Sequence, residues 1–422
     1  MRNIKIGVIG MGYVGLPVSV VFAKKYEVIG YDINKDRIRE LNEYSDKTLE
    51  ITTNQLKNCL KKNLKLTDDI KDLESCNIYI ITVPTPIYND KTPDLRPLIS
   101  ATTMIGNILL KGDIVIYEST VYPGCTEEKC VPILEKQSQL KYNEQFFCGY
   151  SPERINPGDK MHTIEKIVKV TSGSNLETAL EIDKLYSSVI DAGTFMASSI
   201  KVAEAAKVIE NAQRDINIAF VNELAKIFNK MDIDTNDVID AASTKWNFLK
   251  FRPGLVGGHC IGVDPYYLAS KSKEIGYNPE VILAGRKVND SIGNFIADEV
   301  INLLGLNYKN PKNLDVLLMG VSFKENCPDY RNTKVIDIIN TIKKADLNID
   351  IYDPWVNDKL FEEENGIAVN KNTPNKKYDA IIIAVAHDIF KNFPVEDYKK
   401  EKFSIVYDVK GLLKKELITK RL

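Results

Sequence analysis

Short apolar runs alternate with helix-like stretches at both ends of this chain, and this alternation constrains the fold more than any other feature. Ile and Val dominate the runs of the first part, which lie at 4–10, 26–32, 77–84 and 113–120, with further candidates at 146–153 and 167–173. Continuous apolar runs of this length are typical of strands that are buried on both faces. Strands separated by helices predict a doubly wound parallel sheet.

The middle of the chain has helical periodicity instead. Residues 199–231 contain neither Pro nor Gly and place apolar residues at helical spacing. Further helices are predicted at 235–243 and 264–276, and one long helix at 279–305. A helix of the length of 199–231 needs a partner for its apolar face, so we expect this region to mediate dimerisation.

Strand–helix alternation resumes after residue 307. Strands are predicted at 314–323, 349–354, 379–386 and 403–409, with a helix from about 333. The fold class expected is α/β, with two Rossmann-like doubly wound parallel-sheet domains joined by a central all-helical dimerisation region. The predicted domains are 1–195, 196–306 and 307–422.

Composition limits the classes of function. Lys and Arg number 56 against 58 Asp and Glu, so the net charge of −2 provides no overall basic field for nucleic acid or anionic lipid. No apolar run reaches the about 18 to 20 residues of a membrane span. Seven cysteines without a CxxC pair indicate a reduced, cytoplasmic compartment. Three histidines and no clustered Cys/His spacing argue against a metal site.

A glycine motif follows the first strand. Gly10, Gly12 and Gly15 form GxGxxG between a strand and a helix, and the next strand ends in Asp32. Such glycines permit a tight turn and a close approach of the backbone to a pyrophosphate at the helix N-terminus. A carboxylate at the end of the second strand binds the adenosine ribose diol and repels a 2′-phosphate, which favours NAD over NADP. A glycine turn that only packs the helix on the strand is the alternative.

A single cysteine, Cys260, lies in "GGHC", shortly before a helix predicted to begin near Pro265 with Asp264 as its N-cap. A positive helix end and a glycine loop both favour an exposed thiol of low pKa. A small buried hydrophobic residue is the alternative, and it is the usual environment of a free cysteine.

Further polar residues occupy positions that suit ligand binding. Lys207, Asn211 and Arg214 share one helix face and could bind an anion or stabilise an oxyanion, although a solvated polar stripe would look the same. Thr120 ends the fourth strand and Glu153 follows another strand. The carboxyl ends of strands are where ligands bind in a doubly wound sheet.

Together with Lys207 and Asn211, the stretches "GMGYVGLP", "EST", "SPE", "GGHC" with Asp264, and "FKENCPDYRNTK" resemble the UDP-glucose/GDP-mannose dehydrogenase family over essentially the whole chain. The resemblance implies an N-terminal NAD-binding domain, a central helical dimerisation region and a C-terminal domain that holds the nucleotide sugar. It also implies oxidation of C6 from alcohol to carboxylate with two NAD and one water. A thiolate that adds to the intermediate aldehyde gives a thiohemiacetal, which loses a second hydride to become a thioester that water hydrolyses.

The same resemblance implies roles for individual residues. Cys260 would be the nucleophile. Lys207 would act in proton transfer or oxyanion stabilisation, and Asn211 would help to hold the oxyanion. Asp264 would help to activate the thiol or water, and Thr120 and Glu153 would position water and exchange protons. The NAD-binding set would be Gly10, Gly12, Tyr13, Val14, Gly15, Asp32, Arg37, Thr85, Thr120 and Arg331. The substrate-binding set would be Arg154, Lys207, Asn211, Arg214, Arg252, Gly257, His259 and Lys324, with Arg252 reaching the site of a partner subunit.

Three positions differ from the UDP-glucose branch of the family, and they bear on which sugar is the substrate. Pro157 replaces a second acid after "PE", Glu118 replaces a lysine, and His259 replaces a small residue. These differences resemble the branch that oxidises UDP-N-acetylglucosamine or UDP-N-acetylgalactosamine, of the Vi-antigen type, for a surface polysaccharide. The residues at 244–246 differ from the His-Pro-Arg signature of the UDP-N-acetylmannosamine enzymes.

Three alternatives remain at this stage. A UDP-glucose 6-dehydrogenase is the nearest. A two-electron dehydrogenase of the 6-phosphogluconate type would need neither Cys260 nor the third domain. A non-catalytic NAD-binding regulator belongs to another class, and it would form no NADH with any nucleotide sugar.

Overall fold

The computed structural model describes residues 4–155, 161–258 and 261–422. Two compact units divide the chain: Met1–Glu210 with Tyr266–Tyr277, and Asn211–Pro265 with Asn278–Leu422. The predicted three-domain boundaries remain a prediction. Within the described ranges, no helix combines the length and the apolar character that crossing a membrane requires.

The first unit contains a six-stranded parallel sheet with the order β3-β2-β1-β4-β5-β6. Its strands are β1 Lys5–Ile9, β2 Glu27–Tyr31, β3 Leu64–Thr67, β4 Ile78–Ile81, β5 Ile114–Tyr117 and β6 Phe147–Tyr150. Its helices are α1 Gly15–Phe22, α2 Lys35–Asn42, α3 Thr53–Leu60, α4 Arg96–Gly106, α5 Val131–Ser138 and α6 Leu176–Ser187. The apolar runs are buried as predicted; all four residues of β4 and all four of β5 are buried.

Strands β3, β7 Lys169–Thr171 and β8 Thr194–Met196 of the first unit differ from the expectation. The run at 167–173 does not join the main sheet; β7 pairs instead with β8 in a separate two-stranded sheet. The edge strand β3 was not predicted, because its exposed Lys65 interrupts the short apolar run. An edge strand contacts one neighbour only, so its sequence carries a weaker signal.

Helices α7 to α11 follow, at Ile200–Lys230, Thr235–Ala242, Asp264–Glu274, Glu280–Asp290 and Ile292–Asn307. The prediction of a single helix over 279–305 is wrong, since the helix is interrupted at Ser291, between α10 and α11. The Ser291 hydroxyl donates to the Val288 carbonyl at 2.7 Å and accepts from Lys226 Nζ at 2.6 Å. A serine that bonds a nearby carbonyl in this way competes with the helical hydrogen bonds.

The second unit contains a five-stranded parallel sheet with the order β10-β9-β11-β12-β13. Its strands are β9 Asp315–Met319, β10 Asn348–Tyr352, β11 Ala380–Ile383, β12 Ile405–Asp408 and β13 Lys420–Arg421. Two further helices are α12 Val335–Lys344 and α13 Asp358–Asn365. Residues of α11, α12 and α13 form one apolar core with alternate strand residues, and the other residues of β9 and β11 form a second core. The predicted α/β class with parallel sheets is confirmed.

Each sheet has a point at which its strand order reverses, between β1 and β4 in the first unit and between β9 and β11 in the second. The carboxyl ends of two parallel strands diverge there and leave a crevice for a ligand. The residues that follow β1 and β9 are Gly10 and Gly320, both with positive φ, at +97° and +87°. Both sheets are therefore built to hold a ligand at a defined edge.

Candidate active site

The glycine loop after β1 has the geometry that its sequence predicts. A Cβ added to Gly15 would lie 1.8 Å from the Gly10 carbonyl oxygen, so only glycine fits where α1 begins. A Cβ on Gly12 would meet nothing within 4 Å, which shows that open space lies above the loop. Thr82, after β4, donates to the Gly10 carbonyl at 2.9 Å. The hydrogen bond from Thr82 holds the loop on the side of the sheet, and the loop is open at Gly12, where a ligand would bind. Tyr13 and Val14 belong to the same loop.

Asp32 stabilises this loop directly. One carboxylate oxygen accepts from the Met11 amide at 2.7 Å and the other from the Asn34 amide at 2.8 Å. A carboxylate has about four acceptor positions, so capacity remains for two hydroxyls of a ribose. The position at the end of β2 and the remaining acceptor capacity fit the predicted diol-binding role.

Arg37 lies behind the loop rather than on its open face. The side chain is buried; Nε donates to the Met11 carbonyl at 2.9 Å, and the two terminal nitrogens bond Glu40 and Asp46 at 2.9 and 2.8 Å. These bonds give Arg37 a positioning function toward the loop. Direct contact with NAD stays a prediction, as it does for half-buried Thr85 after β4.

The segment after β5 carries Thr120 and is anchored by a buried carboxylate. Glu204 of α7 accepts from the Gly124 amide at 2.5 Å and from the Thr126 amide at 2.9 Å. Burial, opposed by these hydrogen bonds, raises the pKa of Glu204 to about 7. Thr120 itself is half-buried at the carboxyl end of the sheet, as its predicted role requires.

Glu153 belongs to a buried polar group that the sequence did not reveal. Glu118, directly after β5, accepts from Lys169 Nζ at 2.7 Å and from the Tyr186 hydroxyl. Lys169 Nζ lies 3.8 Å from Glu153 Oε2. We call these four residues the Glu118 cluster. The available signal was a lysine inside the otherwise apolar run at 167–173.

Arg154 faces α7. Its guanidinium bonds Glu210 at 2.5 Å and 3.0 Å, and a further nitrogen donates to the Val168 carbonyl at 2.8 Å. If Arg154 contacts the substrate as predicted, its guanidinium must either bind Glu210 and the substrate together or leave Glu210.

Lys207, one turn before Asn211 on α7, is buried. Its burial distinguishes it from a residue of a solvated polar stripe.

Asn211 and Asp264 are brought together as a pair. The Asn211 amide donates to Asp264 Oδ2 at 2.5 Å. The helix α9 begins at Asp264 itself, one residue before the predicted start near Pro265, and the Asp264 side chain is buried. A carboxylate in the first turn of a helix interacts favourably with the helix dipole. Arg214 lies further along α7 and is exposed.

A cleft of about 360 Å³ lies at the strand reversal of the second unit, and Gly257, Lys324, Lys334 and Lys410 contribute to its lining. Lys324 follows β9, as predicted. Lys334 and Lys410 were missed, although each lies where a loop joins a helix or strand of the predicted alternation. Lys334 also forms an ion pair with Asp290 at 2.8 Å. Three ammonium groups in one cleft favour an anionic ligand.

The two glycines before Cys260 have a packing reason. A Cβ on Gly257 would lie 2.8 Å from the Asn332 carbonyl oxygen, and one on Gly258 would lie 2.7 Å from the Phe323 ring. Gly258 also has a φ of +82°, which favours glycine. The "GG" of the motif thus lets this loop lie against the segment that carries Lys324. His259 and Cys260 lie outside the described residues, as does Pro157.

His387 stabilises the segment after β9 that lines the cleft, and the sequence did not predict this role. It is buried; Nδ1 accepts from the Asn326 amide at 2.9 Å, and Nε2 lies 3.3 Å from Asp353 Oδ2. Because Nδ1 accepts, the proton of the neutral ring is on Nε2, toward Asp353. The hydrogen bond from the Asn326 amide to Nδ1 fixes the segment after β9 that presents Lys324.

Two predicted arginines are bound within the second unit. Arg252 donates to the backbone and side-chain oxygens of Asn236, at 3.0 and 2.8 Å, and pairs with Asp240. Arg331 is half exposed and bonds Asp329 at 2.6 Å. Their predicted roles toward a partner subunit and toward NAD stay predictions.

The donor set of the site fits a dinucleotide. Across the part of the chain that the structure describes, no three His, Cys, Asp or Glu residues lie where they could hold a metal ion. NAD would be held by the open backbone at Gly12, the N-terminus of α1 and the remaining acceptor capacity of Asp32.

Comparison with known proteins gives the same picture. Residues 4–190 match the NAD binding domain of the UDP-glucose/GDP-mannose dehydrogenase family, residues 201–291 its central domain, and residues 317–415 its UDP binding domain. The UDP-N-acetyl-D-glucosamine 6-dehydrogenase of Pseudomonas aeruginosa is 55% identical over 415 residues, 98% of each chain. The Salmonella typhi protein of the same name is 53% identical over 417 residues, 98% of this chain and 97% of the relative.

Among solved structures, a UDP-D-ManNAc dehydrogenase from Pyrococcus horikoshii superposes with a TM-score of 0.90 at 29% identity, covering 99% of this chain and 98% of that one. The family expected from the sequence motifs is thereby confirmed, together with its use of NAD. This chain belongs to the UDP-glucose/GDP-mannose dehydrogenase family of NAD-dependent oxidoreductases.

Proposed function

We propose that this enzyme oxidises C6 of a UDP-N-acetylhexosamine, foremost UDP-N-acetylglucosamine, from alcohol to carboxylate. The observation that carries the proposal is 55% identity over 98% of the chain with a protein named UDP-N-acetyl-D-glucosamine 6-dehydrogenase. Supporting it are the open glycine loop, the Asn211–Asp264 pair and the lysine-lined cleft within the range that matches a UDP binding domain.

The proposed chemistry removes two hydrides from C6 and adds one water. NAD supplies the hydride acceptor in each oxidation. Cys260 adds to the intermediate aldehyde, so that the second oxidation gives a thioester, which water opens to the acid. Lys207 and Asn211 stabilise the oxyanion, and Asp264 holds the Asn211 amide in place at 2.5 Å. Thr120 and Glu153 position the water, and Glu153 accepts its proton.

For substrate binding, we assign Lys324 and Gly257 to the nucleotide, since both line the cleft of the second unit. His259, Arg154 and Arg214 are assigned to the diphosphate or the N-acetyl group. The three regions 1–195, 196–306 and 307–422 would bind NAD, form a dimer and hold the UDP part. The three matched ranges support this division.

Homodimer formation is proposed through α7. This helix exposes apolar side chains along its length, with exposed fractions of 55% for Ile209, 55% for Phe220 and 47% for Ile227. A second copy of the chain would cover them, since a long amphipathic helix is stabilised by packing of its apolar face. We also propose a cytoplasmic location and a uronic acid product that serves a surface polysaccharide.

The test is the stoichiometry and the substrate preference. With limiting UDP-N-acetylglucosamine the enzyme should form two NADH per sugar, and its kcat/KM should exceed those for UDP-N-acetylgalactosamine and UDP-glucose. NADH is followed by absorbance and the product by mass spectrometry. One NADH per sugar would reject four-electron oxidation, and preference for UDP-glucose would favour a UDP-glucose 6-dehydrogenase.

Cys260→Ala serves as the matched variant. It should bind NAD as the wild type does and produce no uronic acid, because no thioester can form. Acid production at the wild-type rate by this variant would contradict the proposed covalent step.

A further inference from the structure

The Glu118 cluster lies at the carboxyl ends of β5 and β6 and is almost closed to solvent. The exposed fractions are 0% for Glu118, 0% for Tyr186, 3% for Lys169 and 7% for Glu153. The four residues come from separate segments: after β5, from α6, from β7 and after β6. Charges in such a place are weakly screened, so each ionic contact has a large effect.

The cluster contains two carboxylates and one ammonium group. Lys169 Nζ lies 2.7 Å from Glu118 Oε2 and 3.8 Å from Glu153 Oε2. It also donates at 3.1 Å to the carbonyl of Pro152, the residue before Glu153. The ammonium therefore holds both the backbone and the charge of the segment that presents Glu153.

Glu118 is the firmer partner of Lys169. It accepts from Tyr186 on its other oxygen, and burial raises the pKa of its carboxyl. Glu153 is held less fully: Oε1 accepts from the Ile155 amide, while Oε2 has no hydrogen-bond partner among the described residues. The Lys169 ammonium, 3.8 Å away, supplies a counter-ion for this oxygen.

Two further charged groups near the cluster have partners of their own. Arg154, next to Glu153, bonds Glu210 of α7 at 2.5 Å, and Asp183 of α6 accepts from Thr171 at 2.6 Å. The Tyr186 ring faces Lys169 Nζ at 5.6 Å and adds a further favourable contact for the cation. In the described contacts, Lys169 is the cation that both carboxylates share.

We propose that Lys169 is a positioning residue for the oxidation, which holds Glu153 in place through a charge that it divides with Glu118. The inference rests on the proposed function, because the proton-accepting role of Glu153 comes from it. Lys169 touches neither substrate nor NAD in this scheme and acts through Glu153. Its removal should therefore affect turnover more than sugar binding.

The kinetic test compares Lys169→Met, Lys169→Arg and Glu118→Gln. Lys169→Met should lower kcat by about tenfold or more, up to the about 10²- to 10⁴-fold that one proton-transfer group contributes, and leave KM for the UDP-sugar within about threefold. Lys169→Arg keeps the charge and should recover part of kcat. Lys24→Met, which removes the surface ion pair with Glu165 at 2.5 Å, is the matched control and should behave as wild type.

The pH profile of kcat separates positioning from mere structural damage. In Lys169→Met two carboxylates face each other without a cation, so they bind a proton more readily and the low-pH limb should move to higher pH. In Glu118→Gln the ammonium has Glu153 as its remaining counter-ion, so the limb should move to lower pH. Shifts in the same direction, or no shift in Lys169→Met, would overturn the proposal.

A second readout does not depend on turnover. In protein labelled with ¹³C at the glutamate carboxyl carbons, the signals of Glu118 and Glu153 are identified by their loss in the Gln variants. Their titration should move to higher pH in Lys169→Met, and an unchanged titration would overturn the inference even in an active enzyme. A wild type that oxidises no UDP-sugar would instead refute the proposed function.

Loss of one partner of a buried ion pair is destabilising, so Lys169→Met could fail to fold. The double variant Glu118→Gln/Lys169→Met removes both charges of the pair and avoids an uncompensated buried charge. It should keep the low kcat, because Glu153 still lacks its ammonium. Recovery of wild-type kcat in the double variant would show that Lys169 only neutralises Glu118.

Discussion

Single buried side chains hold the segments that present the proposed catalytic residues. Glu204 fixes the segment after β5 by accepting from two backbone amides, and Lys169 fixes the segment after β6. Neither residue lies in a recognisable local motif. At this scale the site depends on groups far from the reacting atoms, and their ionisation couples the site to pH.

Stability should depend on pH through Glu204. Burial raises its pKa to about 7 from an ordinary value of 4.5, so between these values the folded state keeps a proton that the unfolded state has released. The free energy of unfolding therefore falls as pH rises through this window, by up to about 3 kcal/mol from this group. Urea unfolding of wild type and Glu204→Gln at pH 4.5 and pH 8 should show the variant gaining relative stability at pH 8.

Glu181→Gln, a change at an exposed glutamate of α6, is the control and should show no such difference. A difference between wild type and Glu204→Gln that is the same at both pH values would contradict the assignment.

At the scale of elements, the buried amide of Asn222 joins helices α7 and α10 to the loop at Gly254. Asn222 of α7 donates to the Gly254 carbonyl at 3.0 Å and accepts from the Gly254 amide at 2.8 Å. It also donates to Asn289 of α10 at 2.8 Å. These bonds tie two helices to the loop that leads to Gly257 and the proposed nucleophile.

Asn222→Ala should lower the free energy of unfolding by about 2 kcal/mol or more, because it leaves buried backbone and amide groups of Gly254 and Asn289 without partners. Asn229→Ala on the same helix loses a single contact, to Glu299 at 2.7 Å in a half-exposed position, and should cost less than about 1 kcal/mol. Equilibrium urea unfolding measures both variants. Equal losses of unfolding free energy in the two variants would mean that the contacts of Asn222 stabilise the protein no more than the single contact of Asn229.

At the scale of the whole molecule, the exposed apolar residues of α7 are the feature that a single chain leaves unexplained. An isolated exposed apolar residue is ordinary, but a repeated set on one long helix is typical of an interface. We expect the wild type to have twice the chain mass in solution.

Phe220→Glu combined with Ile227→Glu should produce a monomer, since charges in an apolar interface lose hydration without gaining a partner. Sedimentation equilibrium measures the mass. Leu180→Glu, at a similarly exposed position on α6 (54%), is the control and should stay dimeric. A monomeric wild type would refute the proposed interface.

The sequence by itself determined the features that depend on neighbours along the chain. The strands of both sheets other than the edge strands β3 and β13, the long helix α7 and the glycine loop with Asp32 follow from local periodicity and from backbone conformations that only glycine adopts easily. The motifs carried the family for the same reason, because their spacing is a local property. The chemistry proposed for Lys207, Asn211 and Glu153 came with them.

Only the tertiary structure decided which distant residues meet. The pairing of Lys169 with Glu118 joins positions 51 residues apart, and that of Asn211 with Asp264 joins positions 53 apart. The separate sheet of β7, the break at Ser291 and the membership of Lys410 in the cleft were likewise outside sequence reasoning. Periodicity reports which face of an element is apolar, whereas a buried charge is fixed by the partner that folding brings to it.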